Sequence, residues 1–302
     1  MPTVSVIVNV RDGAAFLAEA LRSVLEQTYT DWELIVWDNA STDATPAIAR
    51  ALGERVRYFR SPEPVTLGRA RDAAMREARG EWLAFLDHDD VWMPDKLARQ
   101  VALAADPAVA IIYGRSLAFS ARGAERDFDR AHEFDALPEG DIFAQLVAES
   151  SFIAMSSAML RRSAVLGALP VPEPIHLIVD YFLYLELARG HRTRAVQGVV
   201  CRYRVHSASL TWTANDRMHV EALWLLDRWR RDIDPRVAAR RRRIHSTGLA
   251  VREMRSTGTR SRGLARLLRE GSPGFLCTRP LAWAWRAVRR RVRRPAWRTA
   301  TS

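Results

Sequence analysis

The feature that most constrains the fold is an alternation, in the first third of the chain, of short apolar runs with stretches of helical periodicity. Val4–Val10 is apolar and β-branched, which is typical of a buried strand. Ala14–Gln27 then places its apolar residues on one helical face. The pattern predicts further strands at Glu33–Trp37, Val56–Phe59, Trp82–Leu86 and Val109–Tyr113, and helices at Asp43–Leu52, Leu67–Arg79, Pro94–Ala105 and Asp180–Arg189. The sequence therefore predicts an α/β fold, with a mostly parallel sheet and helices on both faces.

Two polar segments begin where predicted strands end. One starts at Asp38 and runs to Asp43, and the other is Asp87-His88-Asp89-Asp90. Ligands of such sheets bind beyond the carboxyl ends of the strands, so both segments are candidate binding sites.

The second segment, the acidic turn Asp87–Asp90, holds three carboxylates within four residues. Close like charges repel unless a cation neutralises them, and Mg²⁺ or Mn²⁺ prefers oxygen ligands that it can share with substrate phosphates. The alternative is a solvated turn in which Asp89 or Asp90 caps the next helix. Both readings stay open at this point.

The first segment has a similar pair of interpretations. A carboxylate after a strand, such as Asp38, can bind the base or ribose of a nucleotide. The same residue types also suit a tight turn in which Ser41 or Thr42 caps the following helix.

Positive charge is concentrated at the C-terminal end of the chain. The net charge is +11, yet residues 236–302 alone hold 19 arginines and two acidic residues, so the preceding part is acidic. We predict two domains, a catalytic domain over residues 1–215 and a helical, Arg-rich extension over residues 216–302.

Within that extension, residues 279–302 form a basic tail whose apolar residues Leu281, Trp285, Val288 and Val292 fall on one helical stripe. Arginines around such a stripe predict a helix in an anionic lipid interface. The alternative is a helix that packs on the acidic catalytic domain. No nucleic-acid-binding module accompanies the charge, so no nucleic acid partner is expected.

The cellular compartment is predicted from three features that the sequence does not show: a membrane-spanning run, a signal peptide and a pattern of paired cysteines. No apolar run approaches the roughly 20 residues that span a bilayer, and the N-terminus lacks the features of a signal peptide. The two cysteines, Cys201 and Cys277, lie far apart and have the spacing of neither a disulfide framework nor a zinc site, which favours a reducing compartment. The expectation is a cytoplasmic protein that can associate with the inner face of the plasma membrane.

An ordered set of motifs, spread over roughly residues 3–212, resembles the family 2 glycosyltransferases. The set comprises Val4-Ser5-Val6-Ile7-Val8, Ser23-Val24-Leu25-Glu26-Gln27-Thr28-Tyr29, Asp38-Asn39-Ala40-Ser41-Thr42-Asp43, Gly68-Arg69-Ala70-Arg71-Asp72, Ala78-Arg79-Gly80-Glu81-Trp82, Phe85-Leu86-Asp87-His88-Asp89-Asp90-Val91-Trp92, Asp180-Tyr181-Phe182-Leu183-Tyr184-Leu185 and Tyr203-Arg204-Val205-His206-Ser207. Each motif is weak alone, but their order is specific.

The resemblance implies a GT-A fold, which is Rossmann-like with a mixed, mostly parallel sheet and helices on both faces. It also implies a nucleotide-diphosphate sugar donor and transfer with inversion. It implies that Asp180 is the general base, and that Asp89 and His206 bind a Mg²⁺ or Mn²⁺ ion. The residues expected to bind the nucleotide or the rest of the donor are Asn9, Arg11, Asp38, Arg71, Asp87 and His88. The chain departs from the usual family pattern at Arg11-Asp12 and Arg71-Asp72, which bears on the identity of the nucleotide base. It also departs at Val179, where the family commonly has an acidic residue just before the general base.

The expected acceptor is a hydroxyl of a saccharide or a lipid-linked acceptor in the synthesis of a cell-surface polysaccharide, O-antigen or glycolipid. A nucleotidyltransferase of sugar phosphates is one alternative, but it would need a Gly-rich phosphate loop, for which residues 9–13 are a poor candidate. A non-catalytic sugar-nucleotide-binding or membrane-scaffold protein is the other. The joint presence of Asp87, Asp89 and Asp180 argues against it.

Overall fold

A computed structural model describes residues 2–120, 134–206 and 215–254, together with Thr259, Arg262 and Arg266. Its strands are β1 (Val4–Val10), β2 (Trp32–Asp38), β3 (Val56–Arg60), β4 (Trp82–Phe85), β5 (Val91–Trp92), β6 (Val109–Phe119), β7 (Met159–Arg161) and β8 (Arg192–Arg204). Its α-helices are α1 (Leu17–Leu25), α2 (Thr45–Arg50), α3 (Leu67–Glu77), α4 (Lys96–Val101), α5 (Phe143–Glu149), α6 (Arg162–Ala168), α7 (Val179–Ala188), α8 (Asn215–Arg228) and α9 (Pro235–Glu253).

The strands form one sheet in the order β3-β2-β1-β4-β7-β6-β8-β5. Strands β1, β2, β3 and β4 pair in parallel, and β6 is parallel to β8. Strand β7 is antiparallel to β4 and β6, and β5 is antiparallel to β8. The predicted mixed, mostly parallel α/β sheet is confirmed.

The core lies between the parallel strands and the helices beside them. Every residue of β1 except Asn9 is buried, as expected for a strand covered on both faces. Helix α1 buries Leu17, Ala20, Leu21 and Val24. Because β1 lies between β2 and β4, the segments after these strands emerge at the same edge of the sheet.

The helix caps considered as alternatives at the two polar segments are not formed. Helix α2 is preceded by Ala44, without a side-chain cap, so neither Ser41 nor Thr42 caps it. Ser41 Oγ accepts a hydrogen bond from the Asp12 N–H instead, and the Thr42 N–H donates to Asp12. Asp89 and Asp90 do not cap the next helix either, because β5 intervenes and α4 starts after Asp95.

Strand β6 is longer than predicted, since it continues past Tyr113 to Phe119. Its second half pairs with β8 through a register that contains shifts and ends at Phe119 opposite Arg204. This long pairing carries the end of β8 towards the site.

The chain divides into two compact units, Met1–Asn215 and Asp216–Ser302. In the second unit, Asp234 caps α9 by accepting hydrogen bonds from the Arg236 and Val237 N–H groups. The catalytic role assigned to the first part remains a prediction. The basic tail, residues 279–302, and Cys277 lie outside the described residues. Within the part of the chain that is described, no helix is both long and apolar enough to cross a membrane.

Candidate active site

Arg71 and the acidic turn lie together although the chain separates them by a helix and a strand. Arg71 is buried on α3, and its Nη2 donates to Asp87 Oδ1 at 2.9 Å. Arg71 is therefore not an ordinary exposed arginine, because it is buried and paired with an acid. The side chain of Asp87 is 36% exposed, so the pair faces solvent through its carboxylate.

Asp180 belongs to the same group. A Cβ on Gly68 of α3 would lie 2.7 Å from the carbonyl oxygen of Ile175, in the segment before α7, and 3.7 Å from Val179 Cγ2 at the start of α7. Asp180 is in the first turn of α7 and accepts a hydrogen bond from the Tyr181 N–H. Burial raises the pKa of Asp180, the guanidinium of Arg71 opposes this effect, and the Asp87 carboxylate adds to it. Asp180, Arg71 and Asp87 therefore interact electrostatically.

Asp89 of the same turn forms a second pair with His206, which follows β8. His206 Nε2 lies 2.8 Å from Asp89 Oδ2, although 117 positions separate the residues. His206 also packs against Phe16, with ring centroids 5.0 Å apart. The side chains of His206 and Asp89 are 22% and 16% exposed.

Asp90 has a structural environment that sequence analysis missed. Its carboxyl is buried, accepting hydrogen bonds from Ser156 Oγ at 2.5 Å and from the Arg204 N–H at 2.9 Å. Ser156 Oγ in turn accepts from the Asp87 N–H. Burial, and after it the charges of Asp87 and Asp89, raises the pKa of Asp90 well above its usual range. The buried Asp90 carboxyl thus fixes the acidic turn through its hydrogen bonds to Ser156 and Arg204.

Asp38 lies at the end of β2 and is fully buried. Its carboxylate accepts hydrogen bonds from the Ser41 N–H, from the Tyr58 hydroxyl at 2.5 Å and from Arg60 Nη1 at 2.9 Å. Burial, followed by the hydrogen bond to Asp38, raises the pKa of Tyr58. Tyr58 and Arg60 were missed by the sequence analysis, although the parallel register of β2 and β3 pairs Asp38 with Arg60.

The other predicted donor-binding residues lie around the loop after β1. Asn9 Nδ2 donates to the carbonyl oxygen of Ala70 on α3 at 3.0 Å. Arg11 is exposed, and its Nε lies 3.7 Å from an oxygen of Asp12, which has a positive φ of 51°. His88 packs so closely against this loop that a Cβ on Gly13 would lie 2.6 Å from its Cδ2. The structure thus gathers Asp180, Arg71 and Asp87 in one group and Asp89 and His206 in another, while Asp38 has its own partners.

The donor set at Asp89 and His206 fits a cation with few protein ligands. The described residues contain no group of three His, Cys, Asp or Glu side chains arranged to hold a metal ion. Mg²⁺ is nevertheless bound by one or two carboxylates together with substrate phosphates and water, at about 2.1 Å in octahedral geometry, which puts adjacent ligands roughly 3 Å apart. The 2.8 Å between His206 Nε2 and Asp89 Oδ2 is close to that spacing.

Comparison with known proteins places this geometry in context. The model of "Glycosyl transferase family 2" matches residues 5–167, slightly more than half of the chain. The UDP-Glc:alpha-D-GlcNAc-diphosphoundecaprenol beta-1,3-glucosyltransferase WfaP of Escherichia coli is 29% identical over 213 residues, covering 70% of this chain and 80% of that protein.

Two solved structures share the fold. The mannosyltransferase PcManGT from Pyrobaculum calidifontis, in complex with GDP-Man and Mn²⁺, superposes with a TM-score of 0.62 at 20% identity, covering 97% of this chain and 81% of that chain. Residues 1–349 of S. aureus TarS, in complex with UDP-GlcNAc, superpose with a TM-score of 0.61 at 16% identity, covering 93% of this chain and 77% of that chain. At these identities the likeness shows the fold, which is the GT-A fold.

Proposed function

The chain belongs to glycosyl transferase family 2, and we propose that it moves a sugar from a nucleotide-diphosphate donor to an acceptor hydroxyl with inversion at the anomeric carbon. The observation that carries this proposal is the convergence of Asp180, Arg71 and Asp87 beside the pair formed by Asp89 and His206. A glycosyl transfer needs a base for the acceptor and positive charge for the departing diphosphate, and this group supplies residues of both kinds.

Asp180 is the proposed general base. In a single displacement the acceptor oxygen bonds to the anomeric carbon, the bond from that carbon to the diphosphate oxygen breaks, and the acceptor proton passes to a base. One carboxylate suffices, because no covalent enzyme intermediate forms. The raised pKa of Asp180 makes it a stronger base than an ordinary aspartate, and Arg71 keeps the carboxylate form accessible.

Asp89 and His206 would hold the divalent cation, Mg²⁺ or Mn²⁺. When bound, such an ion supplies positive charge to a diphosphate leaving group. PcManGT was solved with Mn²⁺, which supports the choice of ion. Arg71, bound to Asp87, orients that carboxylate at the rim of the same site.

Asp38, with Asn9, Arg11 and His88, is proposed to contact the nucleotide end of the donor. Because Tyr58 and Arg60 already occupy one oxygen of Asp38, the carboxylate is fixed in orientation before any ligand arrives. The structures of TarS with UDP-GlcNAc and of PcManGT with GDP-Man support a nucleotide donor, and they leave the nucleotide base of this donor open.

The proposed acceptor is a saccharide or lipid-linked hydroxyl used in building a surface glycan. Two relatives from Escherichia coli are named for acceptors attached to diphosphoundecaprenol, which supports a lipid-linked acceptor. Such an acceptor would place the enzyme at the cytoplasmic face of a membrane. The basic tail would then serve as the contact, a role that rests on its sequence alone.

A donor screen tests the proposed reaction. Sugar nucleotides of different bases are scored by the rise in melting temperature with Mn²⁺ or Mg²⁺, since a ligand that binds only the folded state stabilises it. The donors that bind are then incubated with acceptor, and the products are separated. Release of nucleoside diphosphate supports glycosyl transfer, whereas release of pyrophosphate would show nucleotidyl transfer. Binding without turnover over the whole donor and acceptor panel would support a non-catalytic binding protein.

A further inference from the structure

Arg204, the last residue of β8, has no role in the reaction proposed above, although it lies between the two parts of the proposed cation site. Asp89 comes from the turn after β4, and His206 follows the end of β8. A pair of ligands from such distant parts of the chain needs a structural element that fixes the separation between them.

Arg204 contacts the acidic turn in two ways. Its N–H donates to Asp90 Oδ1 at 2.9 Å, and its Nε donates to the main-chain carbonyl oxygen of Asp89 at 2.8 Å. The second bond uses the carbonyl of Asp89 and leaves its carboxylate to face His206. Arg204 therefore fixes the backbone of Asp89 from a position two residues before His206.

The guanidinium of Arg204 is itself held in one orientation. It lies between two aromatic rings, 4.6 Å from the centroid of Phe16 and 4.4 Å from that of Phe119. Its Nη2 donates to Glu19 on α1, and the residue is only 9% exposed. Phe16 also contacts the His206 ring, so one aromatic side chain touches both the guanidinium and the histidine.

We infer that Arg204 is a positioning residue that sets the distance between Asp89 and His206, and thereby the affinity of the enzyme for its divalent cation. This inference rests on the proposed function. A planar guanidinium can stack between two rings and donate through Nε and Nη2 at once, whereas the ammonium of a lysine cannot. Hydrogen-bonded residues behind metal ligands typically change metal affinity by about 10- to 100-fold when mutated.

The test measures Mn²⁺ binding. The full chain is titrated with the metal alone, and binding is monitored as the loss of the electron paramagnetic resonance signal of free Mn²⁺. The variant is Arg204→Lys, which keeps the charge and the backbone N–H to Asp90. Arg202→Lys is the matched control, because Arg202 lies on the same strand and its guanidinium also lies 4.4 Å from the Phe119 ring. Asp89→Ala tests the cation site itself.

We expect Arg204→Lys to bind Mn²⁺ at least about 10-fold more weakly, Arg202→Lys to match the wild type and Asp89→Ala to lose binding. Melting temperatures recorded in parallel separate a loss of affinity from a loss of folding. If Arg204→Lys does not fold, Glu19→Gln replaces it, since Glu19 is 51% exposed and its loss loosens the guanidinium. That variant should show a smaller reduction in the same direction.

The outcomes separate the two ideas. If Asp89→Ala loses Mn²⁺ while a folded Arg204→Lys or Glu19→Gln variant binds as the wild type does, the positioning role is wrong and the cation site stands. If Asp89→Ala binds Mn²⁺ as tightly as the wild type, the cation site is wrong, and the role of Arg204 falls with it.

Discussion

Lys96 is the sole lysine of the chain, and it is fully buried on α4. Its Nζ donates to Gln100 Oε1 at 2.6 Å and lies 4.2 Å from the centroid of the Trp92 ring. Burial lowers the pKa of Lys96 from 10.5 to about 7, with the neighbouring Cys201 opposing the shift. The unfolded chain therefore binds one more proton than the folded protein between these two values.

This difference makes the stability of the protein depend on pH. The contribution of Lys96 is most favourable above about pH 10.5, declines as the pH falls and stops changing below about pH 7. One pKa unit corresponds to about 1.4 kcal/mol, so the wild type should gain roughly 2.5 kcal/mol from this residue between about pH 7.5 and pH 9.5. A Lys96→Met variant, which has no titrating group at this position, should lose that gain.

The assay is urea unfolding of both proteins at several pH values over this range, with the free energy of the variant subtracted from that of the wild type. The subtraction removes the contribution of the other titrating groups. The pKa of Lys96 can also be read directly from protein labelled with [¹³C]lysine, since a chain with one lysine gives one Cε signal. A difference in free energy that stays constant with pH, or a Cε signal that titrates near pH 10.5, would refute a buried, neutral Lys96.

Three further outcomes follow from local contacts and from the tail. Tyr58→Phe removes one hydrogen-bond donor to the buried Asp38 carboxylate and should lower the free energy of unfolding by roughly 1–3 kcal/mol. An unchanged midpoint of urea unfolding would contradict this contact. Gly13→Ala would place a Cβ 2.4 Å from Val10 Cγ2 and 2.6 Å from His88 Cδ2, and it should lower the free energy of unfolding by about 1–3 kcal/mol. The control is Gly190→Ala, whose Cβ would meet nothing within 4 Å. Equal stability of the two variants would show that the loop after β1 shifts to accommodate the methyl group. Flotation with anionic vesicles should be stronger for the full chain than for residues 1–278, and equal flotation would count against membrane binding by the basic tail.

The parallel half of the fold could be predicted because its local patterns agree with its tertiary structure. The run Val4–Val10 coincides with β1. The predicted second strand is one residue shorter than β2 at each end, and the predicted third strand is one residue shorter than β3 at its C-terminal end. A strand covered on both faces is apolar throughout, so the sequence alone indicates it. Strand β5 is two residues long and depends on pairing with β8, which no local pattern reveals.

The acidic turn could be predicted as a site because it directly follows a buried strand. Its supporting partners could not, since they come from remote parts of the chain. Arg71 is buried because it meets Asp87, and Ser156 matters because it bonds to Asp90. Ser156 lies in a region whose sequence has little periodicity. Tyr58 and Arg60 were predictable in principle, because a parallel register places β3 residues beside Asp38.

The most direct test of the central claim compares the wild type with Asp180→Asn, using a donor and acceptor found by the screen. Donor affinity is measured by calorimetry with Mn²⁺ present, and transfer is measured as turnover at saturating donor. We predict that the variant binds the donor with an affinity close to that of the wild type while turnover falls by about 10²–10⁴-fold, the usual contribution of a general base. Turnover equal to that of the wild type would show that Asp180 does not take the acceptor proton.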